Sequence, residues 1–408
     1  MGAPCDQRVA HRGLGGAGHA AHGGARRHHC AADDAHQRDA TWVDVSTAAQ
    51  VEYIDQNQNA DIASGSTTPY LAAHIALTAN ISLSGFAWTP FGTRSTEFTG
   101  TFNGNGYQVT GVTIHSSAVY VGFFGVANGT IENVSLVGVR VDATGSGANV
   151  GGLVGAQFGS ITDATVTGTV SATGAATVGG LVGTQYGSIT DVAAAAVTVT
   201  AASGGMAGGL VGSATGSTIT DAHATGTVAV DGSGDAGGLL GSGGVNGGVD
   251  VTDAYATGAV TAGAGDAGGL IGYVFGGSNN QISNTYATGA VQGSTAGGML
   301  GTSSIGASNG GPLSFSASFW DTGTNPGTGV SVGVGPGSRY TGSLTGATTS
   351  AMEGASLYTA AGWTSGPWYF AAGAFPSLQA PTTVAVTTTP TTATAGRPVI
   401  LTATVAAI

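Results

Sequence analysis

The residue types that carry chemistry are scarce in this chain. Its 408 residues include no Lys, nine Arg, nine His and two Cys. A zinc peptidase needs H-E-x-x-H, so that two His share one helical face with Glu as the base. No His here is followed by Glu, and beyond residue 40 only His74, His115 and His223 remain. No spacing singles out one of these as the oriented base of a Ser/His/Asp triad. Cys5, Cys30, His28 and His29 are scattered, whereas zinc ligands come in short pairs. The expectation is a chain without catalytic residues, resident metal or cofactor.

Two constellations remain. Asp163, Asp191, Asp221 and Asp253 each follow an Ile-Thr or Val-Thr step. On stacked coils they would form an acidic row, as a polysaccharide-cleaving carboxylate pair requires. Like charges about 4.8 Å apart repel, so turn bonding, outward splay or a bridging cation such as calcium must relieve them. The turn-forming role of Asp is the simpler account. The second constellation is His223, Tyr255 and Tyr286, with Thr225, Thr257 and Thr288 two residues on. Strand alternation puts both sets on an outward face. An aromatic stripe beside a hydroxyl stripe suits a sugar ring or an extended glycan; alternatively the rings form a self-stacking ladder that stiffens the chain.

The elements that would position these residues follow from a repeat. The second glycine of G-G-L-V-G and its variants falls at Gly122, Gly152, Gly180, Gly209, Gly238, Gly269 and Gly298, at intervals of 28 to 31 residues. A fixed period of this size marks a repeat architecture in which each unit buries its apolar face against its neighbours. Each coil contains three short strands by this reading: G-G-L-V-G, an Ile-containing step closed by Asp or Asn, and A-T-G-x-V (clearest at Ala224–Val228, Ala256–Val260 and Ala287–Val291). The glycines let a neighbouring wall approach. Leu153, Leu181, Leu210, Leu239, Leu270 and Met299 then form an inward ladder, each Leu contributing about 1.5–3 kcal/mol. The fold class expected is all-β: a parallel β-helix of roughly 29-residue, three-strand coils with capped ends.

Composition agrees. Gly is 75 of 408 and only 7% of residues are charged, without the three-residue period of collagen. Residues 41–408 carry 17 acids against four Arg, a formal charge of −13. Such a surface repels phosphates and anionic lipid, which argues against nucleic acid as a partner. No stretch reads as a membrane span.

The chain divides into five parts. Residues 1–40 hold both Cys, five Arg and six His, with no period and no apolar run; they read as a disordered tail, and as a misassigned start that has replaced a signal peptide. Residues 41–120 form an N-terminal cap, with a short helix at Thr47 to Ile54 capped by Ser46, and Asn-Gly turns near Asn103. The repeats occupy 121–312. Residues 313–380 break the register and close the array, bringing three of the five Trp to cover the last coil. Residues 381–408 alternate as two strands around Pro390 and Gly396, too short to bury a core alone.

The G-G-L-V-G and G-G-L-L-G repeats, followed by I-T-D-A-x-A-T-G-T-V, resemble the GLUG motif of bacterial surface proteins. The resemblance covers about 100–312, and its flanks (F-x-G-x-F-N-G-N-G-Y and F-W-D-T…G-W…F-P-x-L) resemble the ends of such arrays. It implies a large adhesin-like protein or the non-catalytic part of an IgA-specific metallopeptidase, with no catalytic residues of its own. Residues 382–405 resemble the first strands of a bacterial Ig-like repeat. The family normally carries a signal peptide, and none is recognisable here. The function expected is a non-catalytic secreted or cell-surface adhesion module presenting its face to a glycan, host or matrix ligand. The alternatives are a polysaccharide-active β-helix enzyme and a passive spacer.

Overall fold

One apolar position recurs through the whole body of the protein and shows how the chain is built. Val43, Ile75, Phe102, Ile131, Ile161, Ile189, Ile219, Val251, Ile282 and Phe315 are paired strand to strand in parallel register. All ten are buried. Parallel strands stack about 4.8 Å apart, so these rungs alone span about 45 Å. The architecture is a parallel β-solenoid, seen in a computed structural model that describes residues 42–63, 66–244, 247–275, 279–304, 313–324 and 340–378, with the backbone of 383–389 and 400–406. The tail at 1–40 lies outside the described residues.

Three sheets wall the solenoid. One contains 17 strands and two contain seven each. The strand boundaries differ from the sequence reading. G-G-L-V-G is not one strand. Asn149–Gly151 ends one sheet's strand, Gly152 and Leu153 turn a corner, and Val154–Gln157 begins the next sheet. The Ile-containing step and the third strand are one continuous element in some coils, such as Ser160–Ala172. In later coils it breaks in two, as at Ser217–Ala224 and Val228–Val230.

The corner explains the glycines. A Cβ on Gly209 would lie 2.1 Å from the Gly238 carbonyl oxygen and 2.9 Å from the Ala224 Cβ. One contact is with the next coil and the other with the opposite wall, so the interior is one Gly–Ala contact thick at this point. Leu153, Leu181, Leu210, Leu239, Leu270 and Met299 sit beside Gly152, Gly180, Gly209, Gly238, Gly269 and Gly298, and all six large side chains are fully buried.

The solenoid also runs beyond the repeats at both ends. Trp42–Val45, His74–Leu77 and Thr101–Asn103 are rungs of the same 17-stranded sheet. Over them the helix Ala48–Gln56 closes the first opening. Its N-cap is Thr47, one residue later than expected, with Gln50 completing a capping box. Phe91, Phe98, Phe102, Phe123, Phe124 and Trp88 fill this end. The register does not break at 313. Leu313–Asp321 pairs with the preceding coil and Thr341–Ala347 pairs with Leu313–Asp321. Strands Thr383–Thr389 and Ile400–Ala406 form a separate antiparallel pair.

Candidate functional site

Alternation does bring His223, Tyr255 and Tyr286 together. The backbone pairs His223 with Tyr255 and Tyr255 with Tyr286. Their rings stack 4.8 and 4.9 Å apart, within 5° of parallel. The stripe is not, however, the open sugar-facing surface expected from alternation. Tyr255 is 8% exposed and Tyr286 only 1%. The cover is the chain after the last rung. Short helices Thr349–Met352 and Ala355–Ala360 and the antiparallel pair Trp368–Tyr369 with Ser377–Leu378 fold back against this face.

This clasp has its own small core of Tyr255, Tyr286, Phe319, Met352, Tyr358, Trp363 and Trp368. Four of its polar ends are bonded, as burial favours, Tyr358 Oη donating to the Met352 carbonyl at 2.9 Å. Tyr286 Oη donates to the Pro376 carbonyl at 2.6 Å, Trp363 Nε1 to the Ala317 carbonyl at 2.9 Å, and Trp368 Nε1 to Asp253 Oδ1 at 2.8 Å. Burial pushes the Tyr255 hydroxyl up to about 12 and the His223 imidazole down to about 4, so His223 is neutral above that pH. Two of the three Trp of this region, Trp363 and Trp368, therefore seal a side face of the solenoid, while Trp320 packs against Gly298 of the last repeat coil, where the sequence reading placed all three.

The hydroxyl stripe is also broken. Thr225 is exposed but its Oγ1 accepts from the Ala196 N–H of the preceding coil at 2.8 Å. Thr257 is half-buried and Thr288 is buried. These three hydroxyls form no continuous outward row.

The acidic row is real, and its backbone explains the residue type. Asn133, Asp163, Asp191, Asp221, Asp253 and Asn284 all adopt φ between 50° and 53°. Each is skipped by the ladder, which passes from Thr162 to Ala164 and equivalently in the next coils. Asn and Asp tolerate this left-handed conformation better than other non-glycine residues. Partial burial raises Asp163, Asp191 and Asp221, the last up to about 6, where Asp191 and Asp253 add like-charge repulsion. Among the described residues no group of three or more His, Cys, Asp or Glu could hold a metal ion.

Two further features carry polar or aromatic groups outward. Thr162, Thr190, Thr220, Thr252, Ser283 and Ser316 are paired in register over six coils. The Thr252 and Ser283 hydroxyls are 3.0 Å apart. At a different corner Phe158 and Tyr186 stack at 4.6 Å, and the Arg94 guanidinium carbon lies 4.7 Å from the Phe158 ring centre. The sequence reading missed this pair. The signal was present, since Phe158 and Tyr186 stand 28 residues apart, each between Gln and G-S-I-T-D.

The family model of the GLUG motif matches residues 146–171 and 203–229, so the chain carries GLUG repeats. A provisionally named Gly-rich membrane protein of Evansella cellulosilytica is 39% identical over 99 residues, which are 24% of this chain and 12% of that protein. The crystal structure of a provisionally named immunoglobulin A1 protease from Bacteroides ovatus superposes with a TM-score of 0.55 at 18% identity. The superposition covers 83% of this chain and 92% of that one. At that identity the likeness is one of fold. Among the described residues no helix is long and apolar enough to cross a membrane.

Proposed function

We propose that this chain is a non-catalytic rod of the bacterial surface type, exported and displayed, whose side face adheres to a glycan, host or matrix ligand. The observation that carries this reading is the outward Thr/Ser ladder running from Thr162 to Ser316 on one sheet. A regular hydroxyl lattice fixed by backbone register offers repeated, evenly spaced hydrogen bonding, which suits an extended polymer better than a small molecule. The GLUG repeats and the membrane-protein name of the Evansella relative support placement at the cell envelope. The test is display followed by adhesion. Antibody against residues 121–312 should label intact cells, and protease shaving should remove the label. Beads coated with the protein should be retained on a matrix or mucin layer. Labelling only after permeabilisation, or retention equal to that of albumin-coated beads, overturns the reading.

A second reading, a polysaccharide-active β-helix enzyme, is favoured by one observation. Asp191, Asp221 and Asp253 stand on consecutive coils, and burial, with the like charges of Asp191 and Asp253 added, raises Asp221 to about 6, as a general acid needs. New reducing ends released from pectin or β-glucan, and lost in Asp221→Asn, would establish it in place of the first.

A further inference from the structure

Two of the aromatic stacks among the described residues join rings of successive repeat coils, and they end differently. Tyr255 and Tyr286 are sealed under the clasp, and His223 is half-buried at the end of their stack. Phe158 and Tyr186 are not sealed in this way. Tyr186 is 43% exposed, and among the described residues its one ring partner is Phe158 on the preceding coil. On the far side of Phe158 the stack is closed by Arg94. Arg94 is itself held by Glu97, 3.0 Å from its Nη1, and Glu97 Oε2 accepts from Asn128 Nδ2 at 3.1 Å. The other end of the stack carries no ring; Thr215 stands at the next position, its N–H bonded to the Gln185 carbonyl as the Tyr186 N–H is bonded to that of Gln157. Between Gln157↔Gln185 and Ser160↔Ser188 the two coils have equal length. Between Gln185↔Ala214 and Ser188↔Thr218 the next coil contains one residue more. That coil supplies Thr215 and Gly216 at this corner; Gly216 takes φ +57°, and a Cβ there would meet nothing within 4 Å. No ring continues the stack.

We propose that this corner is a carbohydrate-contact site, in which the C–H face of a neutral β-linked pyranose lies on the exposed part of the Tyr186 ring. A ring held parallel by Phe158, and in turn by the anchored Arg94, is a preorganised platform that loses little freedom on binding. Equatorially substituted pyranoses present a flat face of C–H bonds suited to an aromatic ring, and their hydroxyls point sideways. On the following coil Thr215 comes next after Tyr186 in the ladder and Thr218 pairs with Ser188, two residues beyond the ring, and Thr218 is exposed. The formal charge of −12 disfavours polyanionic glycans, and the Arg94 charge is already engaged by Glu97. The site rests on the adhesive reading above and names a ligand class for it.

Saturation-transfer NMR on the full chain with cellotetraose, xylotetraose and chitotriose tests the assignment, with α-linked maltotetraose for comparison. Transfer to sugar ring protons is expected for at least one β-linked probe and weaker for maltotetraose. Tyr186→Ala should weaken binding about tenfold or more, while Tyr186→Phe stays within about twofold. Tyr369→Ala, at an exposed ring elsewhere, should behave as the unaltered protein. Melting should be unchanged in Tyr186→Phe and Tyr369→Ala and fall only slightly in Tyr186→Ala, which loses the stack on Phe158. No transfer to any β-linked probe, binding indifferent to Tyr186→Ala, or Tyr186-dependent self-association in place of sugar binding overturns the site. Cell-surface labelling and bead retention that persist in Tyr186→Ala would leave the adhesive reading standing while this site fell.

Discussion

Single residues in this solenoid are chosen by backbone geometry first and by chemistry second. The left-handed position on the long sheet takes Asp in four coils and Asn in Asn133 and Asn284. Asn and Asp tolerate the conformation equally, but only Asp adds a partly desolvated charge beside like charges. Asp221→Asn should therefore raise the melting temperature at pH 7.5 and leave it nearly unchanged at pH 4, where the carboxyl is protonated. A thermal scan at both values checks this; a lower melting point at pH 7.5 would mean that the charge itself is used. The ladder leucines set a different constraint. Leu210 is fully buried beside a glycine corner with no room to relax. Leu210→Asp places a carboxylate among apolar atoms, and should open its own coil and the two flanking ones. Hydrogen exchange over residues 180–240 should rise sharply, and unchanged protection would contradict the inward assignment.

At the scale of elements the clasp is the informative piece. It covers an aromatic face that would otherwise present Tyr255 and Tyr286 to water, and its core is distinct from that of the solenoid. Its docking depends on Trp368, which is fully buried and bonded to Asp253. Trp368→Ala should cost about 3–5 kcal/mol of docking, as for other large buried aromatic truncations. Because coils contact only their neighbours, the loss should stay local. Residues 349–378 should become protease-sensitive and a hydrophobic dye should bind, while the coils before residue 240 keep their exchange protection. Global unfolding in this variant would show that the clasp holds the rod together and does more than cover one side.

Over the whole molecule, stability should depend on pH in a direction set by burial. Asp55, Asp221 and Asp235 are each raised to about 6, and Asp163 and Asp191 are raised too. A carboxyl that holds its proton more tightly when folded adds stability as pH falls from about 6 toward its ordinary value of 3.8. His223 acts oppositely. Its folded value near 4 lies below the ordinary 6.5, so protonation in the unfolded chain removes stability as pH falls between those values. Five carboxyls oppose one imidazole, and the melting temperature should be higher at pH 5 than at pH 7.5. A flat or inverted profile, followed by calorimetry, would show that the buried acids gain compensating partners in solution.

The one-dimensional part of this structure was legible in the sequence. A period near 29 fixes which residues lie above one another, because in a stack of coils sequence period and spatial neighbour are the same thing. Hence the parallel solenoid, the buried row from Leu153 to Met299, the aligned Asp residues and the stacking of His223, Tyr255 and Tyr286 follow from spacing alone. What spacing could not decide was where each strand ends and what lies against the outside of the stack. The corner at Gly152 splits a motif that reads as a single strand, since its glycines serve close approach and turning, not pairing. Tyr286 is covered by Pro376 and its neighbours, 90 residues away, and Phe158 is backed by Arg94 from the cap. Neither contact obeys the period. Repetition gave the chain its core, and two non-repeating segments determined which aromatic ladder is sealed and which ends on an exposed ring.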